Sequence, residues 1–120
     1  MPVEDLSTYR RTSIDLYLRL PDTPRRLSRY DLRLLEQLWL RQIPLSTIET
    51  AFLLTSARRA LRPADAPPLA PIRSLYYFLP VIEELLQTPL PHADTYLAYL
   101  RGKVLLRPAV APDHTSPSKA

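Results

Sequence analysis

Apolar residues recur at helical spacing in five runs of this chain, and prolines or capping residues punctuate the gaps between them. Glu4 to Leu20 predicts a first helix that buries Leu6, Tyr9, Leu16, Tyr17 and Leu20, with Glu4 and Asp5 in its first turn to suit the helix dipole. Ile14 and Leu18 lie on another side and ask for a second contact. Pro21 and Pro24 forbid continuation. Ser28 and Asp31 then have the spacing of a short capping box, which opens a second helix running to about Gln42. Its predicted buried stripe is Leu32, Leu35, Leu38, Trp39 and Ile43, so the only tryptophan is expected in the core. Arg29, Arg33, Glu36, Gln37 and Leu40 fall on the far side.

The stretch from Ser46 to Arg62 is the one around which the rest is organised. Ser46 and Glu49 again have capping-box spacing, and predict a helix start. Winding the segment puts Leu53, Leu54, Ala57, Ala60 and Leu61 on one side and Ile48, Ala51 and Phe52 on the other. A helix that is apolar on two sides belongs in the middle of the molecule. The run Pro63 to Pro71 follows, with four prolines in nine residues, and predicts a stiff extended loop. Within Ile72–Gln87, Pro80 removes a backbone donor, so a short turn over Ser74–Phe78 should lead into a helix beginning at Pro80. Leu75, Phe78, Val81, Ile82, Leu85 and Leu86 are its expected core residues, and Tyr76 and Tyr77 its polar rim. A last helix is expected from Asp94 to about Lys103, packing through Leu97, Tyr99, Leu100 and Val104. Gly102 stands as a candidate C-cap.

No run alternates with period two over the length of a strand, and β-branched residues are sparse, so the fold class is all-α. The expected architecture is one compact domain of about five helices over residues 1–107. It divides into a basic three-helix half (1–62), the proline-rich loop (63–71) and the C-terminal helices (72–107). Residues 108–120 hold no apolar anchor and read as a disordered tail. The N-terminus lacks the pattern of a secretory signal, and no apolar run approaches the ~20 residues of a membrane span. A soluble, cytoplasmic protein with no membrane association is expected.

The composition leaves little room for catalysis. There is no cysteine, hence no disulfide framework or thiolate nucleophile. His92 and His114 have no ligand partners at helical spacing, Glu83 and Glu84 diverge as helical neighbours, and a single glycine writes no phosphate-cradling loop. No catalytic residue, metal or cofactor is therefore expected. Charge is more informative: residues 1–62 hold 11 arginines against 7 acidic groups, whereas residues 63–120 are neutral. A basic half of this kind draws anionic partners. A GC-rich genome writes a similar excess of arginine over lysine, so the count alone does not distinguish function from coding bias.

Two resemblances point the same way. Ile43-Pro-Leu-Ser-Thr-Ile48 resembles the turn and early recognition helix of bacterial helix-turn-helix proteins, with Leu38 where a small residue and Gln42 where a glycine usually stands. That reading would expose Leu45, Glu49 and Leu53, a poor surface for base edges and phosphates; a generic pair of helices packed as a hairpin has the same signature. Leu27-Ser-Arg-Tyr-Asp31, Ile43-Pro-Leu45, Ala57-Arg-Arg59 and Ile72–Glu84 are similar to segments of small uncharacterised bacterial helical proteins. Ser74-Leu-Tyr-Tyr-Phe78 resembles the tails of replication-initiator and mobile-element proteins, which implies a nucleoprotein role. The expected nucleic-acid-binding residues are Arg25, Arg26, Arg29 and Arg33 from the start of the second helix and Arg58, Arg59 and Arg62 from the end of the third, with Tyr30 among them. Two readings compete with this one. In the first the arginines are a solvated face paired with Asp22, Asp31 and Glu36. In the second the protein is an interaction module docking through Leu40, Leu45, Leu53 and the Tyr76/Tyr77 rim.

Overall fold

Helix α3 (Leu45–Ala60) runs through the middle of the molecule, and every residue from Thr50 to Ser56 is buried. The structure, a computed structural model, describes residues 4–108. Besides α3 it contains α1 (Leu6–Arg19), α2 (Arg29–Leu40), a 3₁₀ turn (Leu75–Phe78), α4 (Leu79–Gln87) and α5 (Ala93–Lys103), with no strand among the described residues. α3 packs against α1, α4, α5 and the 3₁₀ turn, while α2 reaches the bundle through α1 and that same turn. The protein is thus an all-α bundle around one strut. The tail from 109 to 120 lies outside the described residues.

Three rings tie the strut to its neighbours. Phe52 of α3 lies 4.8 Å from Phe78 of the 3₁₀ turn and 6.1 Å from Tyr17 of α1, and Tyr17 meets Phe78 edge-on at 6.0 Å. All three are fully buried, so each contributes both its area and the geometry of an aromatic pair. Tyr9 is buried two helical turns earlier on α1, and its hydroxyl donates to the Ile43 carbonyl at 2.7 Å, joining α1 to the corner between α2 and α3. Burial raises the pKa of both tyrosines, with Glu4 adding to Tyr9 and Asp31 to Tyr17.

The capping signals divide. Ser28 caps α2 as its spacing predicts: its Oγ accepts from the Asp31 amide at 3.2 Å, and Asp31 returns a carboxylate oxygen to the Ser28 amide at 3.0 Å. Asp5 is an N-cap rather than a first-turn residue, accepting from the Thr8 amide at 3.0 Å. The Ser46–Glu49 box does not form. Pro44 is the N-cap of α3, which places Ser46 already inside the first turn, and Glu49 is drawn away to Arg101 of α5 by two contacts of 2.7 Å. Gly102 is not a cap either; it is helical in α5, which ends at Lys103 with Val104 as its C-cap.

The α2–α3 corner is a Schellman motif. The Ile43 amide donates to the Leu38 carbonyl and the Gln42 amide to Trp39, with Gln42 itself in the left-handed region at φ 60°. Gln42 therefore takes the conformation that glycine would take at this turn. Beyond the corner α2 and α3 diverge and do not pack along one another, so the helical hairpin expected from the short link is not present.

Several core assignments shift by one helical step. Leu34 is buried where Trp39 was expected, and Trp39 is half-buried with its indole N–H donating to the Glu4 carbonyl at 2.7 Å. Leu53 is buried, as the two-sided apolar winding of α3 expects and against the exposure that the helix-turn-helix and docking readings require. Leu61, expected on the buried side, is 82% exposed: α3 ends at Ala60, two residues ahead of the run that begins at Pro63. Leu86 and Tyr99 are likewise exposed. Pro80 sits in the first turn of α4, within one residue of the predicted start. Finally, the chain after α5 returns to α1: the Arg107 guanidinium donates to the carbonyls of Leu18 and Thr23 and to the Thr23 hydroxyl.

Candidate functional site

The seven arginines singled out by sequence form two groups with different surroundings. Arg25 and Arg26 lie in the linker before α2, Arg29 is the first residue of that helix and Arg33 follows one turn later; all four are exposed. Tyr30, 55% exposed, has the guanidinium carbons of Arg29 and Arg33 at 5.5 and 5.9 Å from its ring centroid. Its ring is a surface platform flanked by cations, and not part of the core.

None of these four arginines has a carboxylate within ion-pair distance among the described residues. The reason lies in what the neighbouring acids do instead. Asp22 turns to Arg59 of α3 at 3.3 Å, and Glu36 reaches Arg10 of α1 at 3.4 Å. Asp31 is buried; one of its oxygens closes the capping box and the other accepts the Leu75 amide at 2.9 Å. Of the pairings expected between the seven arginines and Asp22, Asp31 and Glu36, one forms, Arg59 with Asp22, and none reaches the four arginines at the start of α2 among the described residues.

Arg58, Arg59 and Arg62, at the far end of α3, are all engaged. Arg58 makes a two-pronged contact with Glu84 of α4 at 3.0 and 2.8 Å. That hydrogen-bonded pair raises the pKa of Arg58 and lowers that of Glu84. Arg59, whose side chain is only 10% exposed, donates to the Tyr77 hydroxyl at 2.9 Å and to the Ala70 carbonyl at 3.0 Å, and bonds Asp22 as well. Its guanidinium also lies 5.4 Å from the Tyr77 ring centroid. Arg62 donates to the Pro67 carbonyl at 2.6 Å, across the base of the proline-rich loop.

Both groups border one stretch of chain. Ile72 donates its amide to Asp22 at 3.0 Å, Leu75 donates to Asp31, and Ala70 and Tyr77 hold Arg59. The start of α2 and the end of α3 thus each meet the segment Ala70–Tyr77, although the helices themselves diverge. Arg73 lies within that segment, exposed and without an ion-pair partner among the described residues. Sequence reasoning missed it because no local signal connects residue 73 with residue 31; only the Asp31–Leu75 contact does.

The other candidate surfaces are less coherent. Leu53 is buried, Leu45 is half-buried against the core, and Tyr77 sits beside Arg59 near the opposite end of α3 from Leu45, about 20 Å away at 1.5 Å per residue. Leu40, Leu45, Leu53 and the tyrosine rim therefore do not line one groove. The first turn of α3 is held to α5 through Glu49 and Arg101, which places α3 inside the bundle rather than out in solution as a reading helix. His92 is exposed at φ 52°, and His114 lies outside the described residues. Among the described residues there is no group of three His, Asp or Glu side chains placed to hold a metal, and no helix long and apolar enough to cross a membrane. No family model, curated protein or solved structure matches this chain.

Proposed function

We propose that this protein has a non-catalytic role and binds nucleic acid through Arg25, Arg26, Arg29 and Arg33, with Tyr30 as a stacking platform and Arg73 at the edge of the surface. The observation that carries this reading is the diversion of Asp22, Asp31 and Glu36 into tertiary contacts, which leaves four exposed arginines without a carboxylate partner among the described residues, two of them over the exposed ring of Tyr30. Guanidinium forks match phosphate oxygens, and a tyrosine face accepts any base. Arg58, Arg59 and Arg62 fall outside the primary contact set, because each already donates to a group of the protein itself. A protein of this size, offering one face of this kind, suits the role of an accessory subunit in a nucleoprotein assembly.

The test is fluorescence anisotropy with labelled duplex and single-stranded oligonucleotides over a salt series. Wild-type protein should bind at low salt and weaken as salt rises. Replacing Arg25, Arg26, Arg29 and Arg33 by alanine should flatten the log–log salt slope by about 0.9 per lost duplex phosphate contact, or about 0.7 on single strands. Tyr30→Ala should weaken single-strand binding more than duplex binding, by ~1–3 kcal/mol per stacked base. Failure of the folded wild-type protein to bind at low salt, or unchanged binding by the quadruple variant, would overturn the proposal.

A further inference from the structure

A cleft of about 370 Å³ opens where the last turns of α3 meet the proline-rich loop and the start of α4. Arg58, Arg59 and Arg62 stand along it with Tyr77, while Leu69 and Val81 supply apolar wall. Its volume falls at the small end of the range for ligand pockets. Two buried polar atoms of its lining residues have no hydrogen-bond partner among the described residues: the Thr55 hydroxyl, on a residue only 6% exposed, and Nε of Arg59. Buried donors without partners are rare and costly, and here two of them line one cleft.

The chemistry of the lining is one-sided. An arginine Nε–H donates only, and the Tyr77 hydroxyl already accepts from Arg59, which leaves its own proton to give. Thr55 can donate as well. The nearby carboxylates of Glu84 and Asp22 are occupied by Arg58 and Arg59. What is missing is an acceptor, and an oxyanion is the acceptor that guanidinium groups hold best.

We propose that this cleft binds a small amphipathic oxyanion, a carboxylate or phosphate headgroup on a short apolar chain. The headgroup is held by Arg59, Arg62, Thr55 and Tyr77, and the chain lies on Leu69 and Val81. Neither unpartnered atom touches solvent in this structure, so the ligand reaches them only as the side chains that line the cleft shift. The proline-rich loop is anchored by the Arg62–Pro67 and Arg59–Ala70 contacts, both donated by arginines of the site itself. An arriving oxyanion therefore competes for the same donors that hold the loop shut. The proposal is independent of oligonucleotide binding by the start of α2.

The experiment is NMR titration of the full chain with hexanoate, hexyl phosphate, inorganic phosphate and hexylammonium, following the Thr55 amide and the Arg59 Nε–H. Hexanoate and hexyl phosphate should shift both signals saturably, and hexylammonium should shift neither. Inorganic phosphate should bind about tenfold more weakly than hexyl phosphate, since it leaves the apolar wall unused. Thr55→Val should weaken both chain-bearing anions by about tenfold, and Thr55→Ser should restore them. Leu69→Ala, on the exposed loop and without consequence for folding, should weaken hexyl phosphate while sparing inorganic phosphate and oligonucleotides. Absence of saturable shifts at Thr55 and Arg59, shifts confined to Arg25–Arg33, or insensitivity to Leu69→Ala would overturn the assignment.

Discussion

The start of α2 and the end of α3 carry arginine at similar density, yet the two regions use it in opposite ways. At α2, Arg25, Arg26, Arg29 and Arg33 project from the surface and have no ion-pair partner among the described residues. At α3, Arg58 clasps Glu84, Arg59 holds Asp22, Tyr77 and Ala70, and Arg62 takes the Pro67 carbonyl. The difference is not in the arginines but in their acids. Asp22 precedes the first group in sequence and Asp31 lies within it, and both are engaged by segments that arrive later in the chain. Charge density in a sequence therefore measures supply, and only the tertiary placement of carboxylates decides how much is left over for a partner.

Asp31 is the residue on which this contrast depends most, so its loss carries the largest expected effect. Its carboxylate accepts the Ser28 and Leu75 amides from a buried position, fixing the start of α2 against the 3₁₀ turn. Asp31→Ala removes a cap and leaves the Leu75 amide without a partner, which should destabilise the fold by about 2–4 kcal/mol in urea unfolding. Asp31→Asn keeps the size and one acceptor, and should cost less. A loss below about 0.5 kcal/mol, the range of an ordinary surface change, would mean that the arginine face has no fixed frame.

A smaller effect separates the two groups directly. Arg59→Ala breaks bonds to Asp22, Tyr77 and Ala70 around a nearly buried side chain, and should cost about 1–3 kcal/mol. Arg29→Ala touches only the Tyr30 face and should stay within about 0.5 kcal/mol. Oligonucleotide affinity should rank the variants the other way, with Arg29→Ala the weaker binder. If both variants lose stability equally, the distinction between free and engaged arginines fails.

How much of this was legible in sequence follows from the range of each interaction. The Ser28–Asp31 box, the proline in the first turn of α4 and the central burial of α3 depend on neighbours a few residues apart, and all three are present. The Ser46–Glu49 spacing is equally good on paper, but Pro44 starts the helix earlier and Arg101, fifty-two residues away, takes the glutamate. The same limit applied to the site. Helical periodicity placed Arg29 and Arg33 on the outer face, and could not show that Glu36 would turn to Arg10 or that Arg59 would reach back to Asp22. Arg73 and the Thr55 cleft were invisible for the same reason: each is defined by elements distant in the chain.

The smallest effect, and the most selective, is in pH. The Arg58 guanidinium holds the Glu84 carboxyl below its ordinary range, chiefly through their hydrogen bonds, and Arg41 does the same for Glu83. A carboxyl whose folded pKa is depressed contributes stability that is complete above its ordinary value of 4.5 and is lost as pH falls through the folded value. Both pairs are solvent-exposed, so screening keeps the contribution of each small. Arg58→Ala should therefore lower the melting temperature slightly near neutrality, and the gap to wild type should close as the solution is taken below the folded pKa of Glu84. Arg29 has no carboxylate partner among the described residues, so the gap between Arg29→Ala and wild type should not change across the same acid window. Melting curves of the three proteins at matched ionic strength measure this directly. An acid-sensitive gap for Arg29→Ala would reveal a carboxylate partner in solution and remove the basis for treating the start of α2 as a free cationic face.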